Sequence, residues 1–148
     1  MYNDTVTVFN RYVDSFKSTI WYPHVISGVN LIVDKAVINA KYGEVSKDNA
    51  VMNVKYHFVD FNIMIGDKPY FPPKEWGRQV NDDLPKSITF TSGNDFDFFM
   101  LGDYGSEEPI IDENGRFYSD MQKEYDNVFA ITSVAKYSVI PHFEIVGK

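Results

Sequence analysis

The sequence predicts an all-β, mainly antiparallel fold: a small β-barrel or sandwich with one or two short helices and long loops. Three observations lead there. Apolar and polar residues alternate at period two in several separate runs, turn signals break those runs at short intervals, and helical periodicity is scarce. The 148 residues, 44% hydrophobic with twelve Phe and ten Tyr, suffice for one domain with its own core. No linker, internal repeat or low-complexity tract divides them.

In chain order, "TVTVF" sets Val6 and Val8 against Thr5, Thr7 and Phe9, a half-buried strand. "STIWYPHVI" and "GVNLIV" read as two further strands separated by Gly28. "VMNVKYHF" turns Met52, Val54, Tyr56 and Phe58 one way and Asn53, Lys55 and His57 the other. Phe61, Ile63 and Ile65 continue the pattern. Phe96, Phe98 and Met100 alternate with Asp95 and Asp97, which places both carboxylates on an outward face. "NVFAITSV" is apolar on both faces and is expected to be central, and Val139, Phe143 and Ile145 form the last strand. Turns are expected at Ser27-Gly28, Tyr42-Gly43, Gly66-Asp67, Ser92-Gly93-Asn94, Gly102-Asp103 and Asn114-Gly115.

Two short helices are expected. In Ser119 to Tyr125, Ser119 and Gln122 have capping-box spacing and Met121 and Tyr125 share a face. In "KPYFPPKEWGRQ" a helix near 72–80 starts on Pro72 or Pro73, carries Glu75 near its positive end, and is kept short by Gly77. A lone short helix is stable only when its apolar face docks. Trp76 is therefore expected to pack inward as a plug on the barrel end, with Lys74 and Arg78 outward. The segment "GDYGSEEPIIDENGR", Gly102 to Arg116, reads as the longest loop.

Net charge is −7, unevenly placed. Between Ser92 and Asp126, ten acidic residues face only Arg116 and Lys123, a local balance of −8 that leaves +1 for the rest. Such a segment repels phosphate backbones, and no basic stripe compensates, so sequence-independent nucleic-acid binding by a surface patch is disfavoured and no specific nucleic-acid binding is expected. It suits either a solvated surface or contact with a differently charged protein. No cysteine is present to form disulfides or thiolate metal sites. No apolar run approaches a membrane span of about 20 residues, and the N-terminus lacks a signal-peptide pattern, so a soluble product made in the cytoplasm is expected.

Catalytic signatures are weak. His24, His57 and His142 have no metal-ligand spacing and lie among aromatics, which favours structural roles. "DENGR" lacks the calcium-loop pattern, "GDYG" lacks the spacing and lysine of a nucleotide cradle, and no G-x-S-x-G is present. The expectation is no enzyme, no metal and no cofactor.

The order of features resembles small virion proteins of tailed bacteriophages and prophages, of the minor capsid and head-tail connector type. The residues carrying the resemblance are "TVTVFNRY", "WYPHVISGVNL" with Val25 to Val29, "YFPPKEW", "FTSGNDFDFFMLGD", and the ending Ile131 to Val134 with Pro141 to Lys148. The resemblance implies a stopper-like head-completion protein in the virion neck. It would be one member of a cyclic ring contacting portal or adaptor and tail proteins, with a lumen that could pass DNA. The candidate interface residues are Lys74, Arg78, Asp103, Tyr104, Glu107, Glu108, Asp112 and Glu113, with a second contact loop at Asp34 to Asp48. Two alternatives stand beside this reading. One is a tail-tube or tail-terminator subunit. The other is a carbohydrate- or peptide-binding sandwich with Trp21, Tyr22, Tyr70, Phe71 and Trp76 as an aromatic platform.

Overall fold

The computed structural model describes residues 2–40 and 43–148, and of 34–40 and 43–48 the backbone alone. Its strands are β1 (Asp4–Val13), β2 (Thr19–Ala40), β3 (Gly43–Lys55), β4 (His57–Val59), β5 (Asn62–Ile65), β6 (Lys68–Pro69), β7 (Phe98–Leu101), β8 (Ile110–Asp112), β9 (Val128–Tyr137) and β10 (His142–Gly147). The helices are α1 (Pro73–Trp76) and α2 (Phe117–Glu124), with a 3-10 turn at Leu84–Lys86. The order β1-β7-β9-β10-β3-β2 closes through a β1–β2 pairing, so six antiparallel strands form a barrel with β8 added to the edge of β2. Closure removes the free edges that an open sheet would leave. The central placement of "NVFAITSV" holds, since β9 lies between β7 and β10.

β2 is one strand, not two. Its first part pairs β1, from Thr19↔Val13 to Val29↔Asp4, and its second pairs β3 from Asn30↔Asn53 onward. Gly28, at φ 71, marks the change of partner, where the register against β1 slips between Asp4 and Val6. Glycine adopts that left-handed backbone without a Cβ penalty, so the chain can bulge and bend there without ending the strand. Past Val33 the ladder of β2 with β3 continues to Ala40↔Gly43, so the expected loop at Asp34 to Asp48 is a hairpin arm. Tyr42, in the expected turn, lies outside the described residues.

β1 is buried on both faces. Val6 and Val8 join Met52, Val54, Phe99, Phe129, Phe143 and Ile145 inside the barrel. Phe9 points the other way, into a second cluster with Trp21, Phe98, Met100 and Met121 that α2 covers. Burying side chains of this size contributes about 1.5–3 kcal/mol each. The helix covering them starts at Phe117, earlier than expected. Its first N–H groups, of Arg116 and Phe117, donate to Asp112 Oδ1, so Asp112 does the capping expected of Ser119. β8 lies within the expected Gly102 to Arg116 loop, paired with β2 through Thr19↔Asp112, Ile20↔Ile111 and Trp21↔Ile110.

Period two was extended too far at three places. Val139 lies in the β9–β10 turn and is 96% exposed, while Phe143 and Ile145 are buried. Beyond Tyr56 the chain leaves the barrel for the small β4-β5-β6 sheet, where Phe58 and Phe61 are exposed. Asp97 precedes β7 and is buried, although Asp95 does face solvent.

The "VGK" ending has a packing reason. A Cβ on Gly147 would meet Phe129 Cβ at 2.7 Å and Phe99 Cε1 at 2.8 Å, closer than carbon atoms approach. Gly147→Ala is expected to destabilise the barrel by about 1–3 kcal/mol through overpacking. Urea unfolding checks this, and an unchanged midpoint would show that the two rings yield freely.

Candidate functional site

The eight expected interface residues divide by structural duty. Lys74, Arg78, Asp103, Glu108 and Glu113 are exposed. Tyr104 is half-buried, its ring edge-on to Phe9 at 5.2 Å, and its N–H donates to Thr7 Oγ1. Asp112 also accepts from Trp21 Nε1 at 3.1 Å, and so ties β8, β2 and α2 together. Glu107 pairs with Lys68 at 2.7 Å and accepts the Val25 N–H. Burial raises the Glu107 carboxyl, but the bonds from Lys68 and Val25 outweigh it and hold the group below its usual range. Lys74 and Arg78 lie in or just after α1, far in sequence from the acidic group, and among the described residues no ion pair joins the two sets.

The proposed aromatic platform is not a surface. Trp21, Tyr22 and Trp76 are buried, and Tyr70 and Phe71 are half-buried. Trp76 is the expected plug: it packs with Tyr22 and Leu84, and its Nε1 donates to Ser87 O at 3.1 Å.

Of the histidines, His24 is fully buried at Val8 of the facing strand, and its Nδ1 accepts from Lys68 Nζ at 2.7 Å. Burial and the neighbouring Lys68 charge depress it to about 3, so it stays neutral. His57 is exposed, and His142 stacks on Tyr137 at 4.8 Å. Among the described residues no three His, Asp or Glu side chains are grouped to hold a metal ion. No described helix is long and apolar enough to cross a membrane.

Sequence reasoning missed two features. One is a cleft of about 220 Å³ between β1, β2 and α2, lined by Arg11, Trp21, Phe96, Asp112 and Tyr118. Tyr118 stands edge-on to Phe96 at 4.9 Å, and the Arg11 guanidinium is paired at 2.8 Å with Asp95, itself 84% exposed. The other is a cluster of exposed apolar residues on two turns: Phe58, Val59 and Phe61 on β4–β5, Val139 and Ile140 on β9–β10. Tyr56 links the turns, donating Oη to Tyr137 O and its N–H to Pro141 O, with its ring 5.7 Å from Phe58. The cleft has no sequence signal, because its residues come from five separate segments. The exposed turn had one: "VDFN" places no glycine in a two-residue turn.

Inside the barrel Asn10 and Asp97 are bonded to each other and to neighbouring backbone groups, while His24 Nε2 and Thr89 Oγ1 are buried without a partner among the described residues. No curated protein and no solved structure matches the chain. The family model of DUF6751, a family of unknown function, matches residues 1–148, and the chain belongs to that family.

Proposed function

We propose that this protein is a non-enzymatic structural subunit of a tailed-phage virion, a stopper-like member of a ring at the head-to-tail junction. The observation that carries the reading is the β2–β3 arm. Among the described pairings, β2 beyond Val33 and β3 before Asn49 pair only with each other, up to Ala40↔Gly43. A two-stranded ribbon is marginal in water and presents unpaired edges on both sides. Contact with a neighbouring subunit would cover those edges and offset the cost of ordering the arm. The resemblance of "TVTVFNRY", "YFPPKEW" and the Pro141 to Lys148 ending supplies the virion context. The acidic Ser92 to Asp126 segment suits the differently charged surface of a neighbour, whether a copy of this chain or an adjoining portal, adaptor or tail ring.

Replacing residues 36–47 by Asn-Gly, which favours a tight two-residue turn, is expected to leave the unfolding midpoint within a few degrees of wild type and to abolish incorporation into particles. Normal incorporation would remove the arm from the argument. Electron microscopy of the native virion tests the reading as a whole. Density for this chain outside the neck and tail would end it, and density in the tail tube or at its terminus would select that related role.

A further inference from the structure

We infer that this protein self-associates head to tail, the Asp60-Phe61 turn of one copy seating in the Arg11–Trp21–Phe96–Tyr118 cleft of the next. The inference deepens the ring reading, and rests on it only in requiring that copies meet.

β4 and β5 pair through Phe58↔Ile63 and Val59↔Asn62, which leaves Asp60 and Phe61 as the two central residues. Their φ values are 49° and 70°. A two-residue turn with both central residues left-handed favours Asn-Gly. Aspartate tolerates that backbone, but a bulky aromatic residue there is an outlier. Phe61 is also 100% exposed, so it recovers nothing by packing within the subunit. A side chain that strains its turn and stands wholly in water has its explanation outside the free subunit. Phe58 on the same hairpin, and Val139 and Ile140 on the β9–β10 turn that Tyr56 ties to it, are exposed apolar side chains too, of the kind that mark contact sites.

A second copy of the chain carries a matching receptor. The cleft holds about 220 Å³ between aromatic walls, and a cavity of about 150 Å³ accommodates a benzene ring. Charge matches at two ranges. Next to Phe61, Asp60 supplies a carboxylate for Arg11 at the cleft, whose present partner Asp95 is a solvated side chain. Further out, Lys55 and Lys136 flank the turns, while the cleft lies mostly in the −8 segment. Turn and cleft are different patches, so the contact is heterologous and propagates into a ring or an open chain.

Analytical ultracentrifugation of the full chain over a concentration series tests this. Wild type should gain mass with concentration. Phe61→Gly should weaken association at least tenfold while unfolding at the same or a higher temperature, because glycine relieves the turn. Tyr118→Arg should weaken it equally by filling the cleft. An equimolar mixture of the two variants should form a one-to-one dimer, since one retains the cleft and the other the turn. Should Tyr118→Arg fail to fold, Arg11→Glu takes its place, with Asp60→Lys as the rescuing charge reversal. The inference is overturned by a wild type that stays monomeric throughout, by Phe61→Gly associating like wild type, or by a mixture that stays monomeric, including one in which the cleft proves to take another molecule. A chain found in a neck ring with Phe61→Gly assembling normally would remove this contact and leave the ring reading. Association through the turn by a chain found outside the virion would do the reverse.

Discussion

Replacing Trp76 by alanine should lower the free energy of unfolding by about 3–5 kcal/mol, as expected for an aromatic residue removed from a core. The reason lies in how little else holds this part of the chain. α1 is four residues long and starts on Pro73, and so short a helix has no stability of its own in water. What holds it is Trp76, whose ring lies 5.9 Å from Tyr22 at 79° and 6.4 Å from Tyr12 at 80°, both edge-to-face. Its Nε1 donates to the carbonyl of Ser87, and Ser87 Oγ in turn meets Gln79 and Asp83. The ring therefore fixes both ends of the segment between β6 and Ile88. Trp76→Phe separates packing from hydrogen bonding: it keeps an aromatic body, loses the N–H, and should cost roughly 1–3 kcal/mol for the Ser87 carbonyl left without its partner. Guanidinium unfolding of both variants decides. An alanine variant within 1 kcal/mol of wild type would mean that the segment closes the barrel end without its tryptophan.

That plug was legible in the sequence because the elements defining it are local: a proline start, a glycine stop and one large apolar residue between them. The barrel strands were legible for the same reason, each carrying its own period. What stayed hidden depends on contacts between distant segments. Period two assumes one wet face and so puts Phe9 on the polar side of β1, whereas α2 covers that side. A glycine between two apolar runs resembles a turn, so Gly28 reads as a boundary, and only the pairing with β1 and then β3 reveals a bulge. The cleft at Arg11 and Tyr118 joins residues more than a hundred positions apart, which no local pattern records. Alternation with Phe96 and Phe98 puts Asp97 on an outward face, but the strand begins at Phe98, and the residue before it obeys no strand parity.

Asp97 gives a large pH effect, opposite in direction to that of the buried His24. β1 and β7 stop pairing at Phe9↔Phe98, and beyond that point the Asp97 side chain acts as the acceptor. Oδ1 takes the Arg11 N–H at 2.8 Å, and Oδ2 takes the Thr91 N–H and Asn10 Nδ2, both at 2.9 Å. Asn10 passes the connection to Thr89 O at 2.7 Å, so one carboxyl joins β1 to the chain on the far side of the Ser92–Gly93 bend. Asp97→Ala should cost roughly 3 kcal/mol, because it takes the acceptor from the part-buried N–H groups of Arg11 and Thr91 and removes one of the two acceptors of the buried Asn10 amide. Complete burial pushes the carboxyl up to about 7, against the opposing pull of the bonds from Arg11, Thr91 and Asn10. Between its ordinary value of 3.8 and about 7, the folded protein therefore holds a proton that the unfolded chain has released. Stability then falls as pH rises. The contribution of Asp97 is fully present below about 4, is lost as pH rises through 7, and changes no further above that. Asp97→Asn cannot ionise. It sets an amide N–H₂ against at least one of the three donors, and so is destabilised by an amount that does not vary with pH. The difference in unfolding free energy, wild type minus Asp97→Asn, should decline steadily from pH 4 to pH 8. A difference that is flat, or that grows with pH, would mean that the three donors keep Asp97 ionised throughout, and that the network outweighs the burial of its charge.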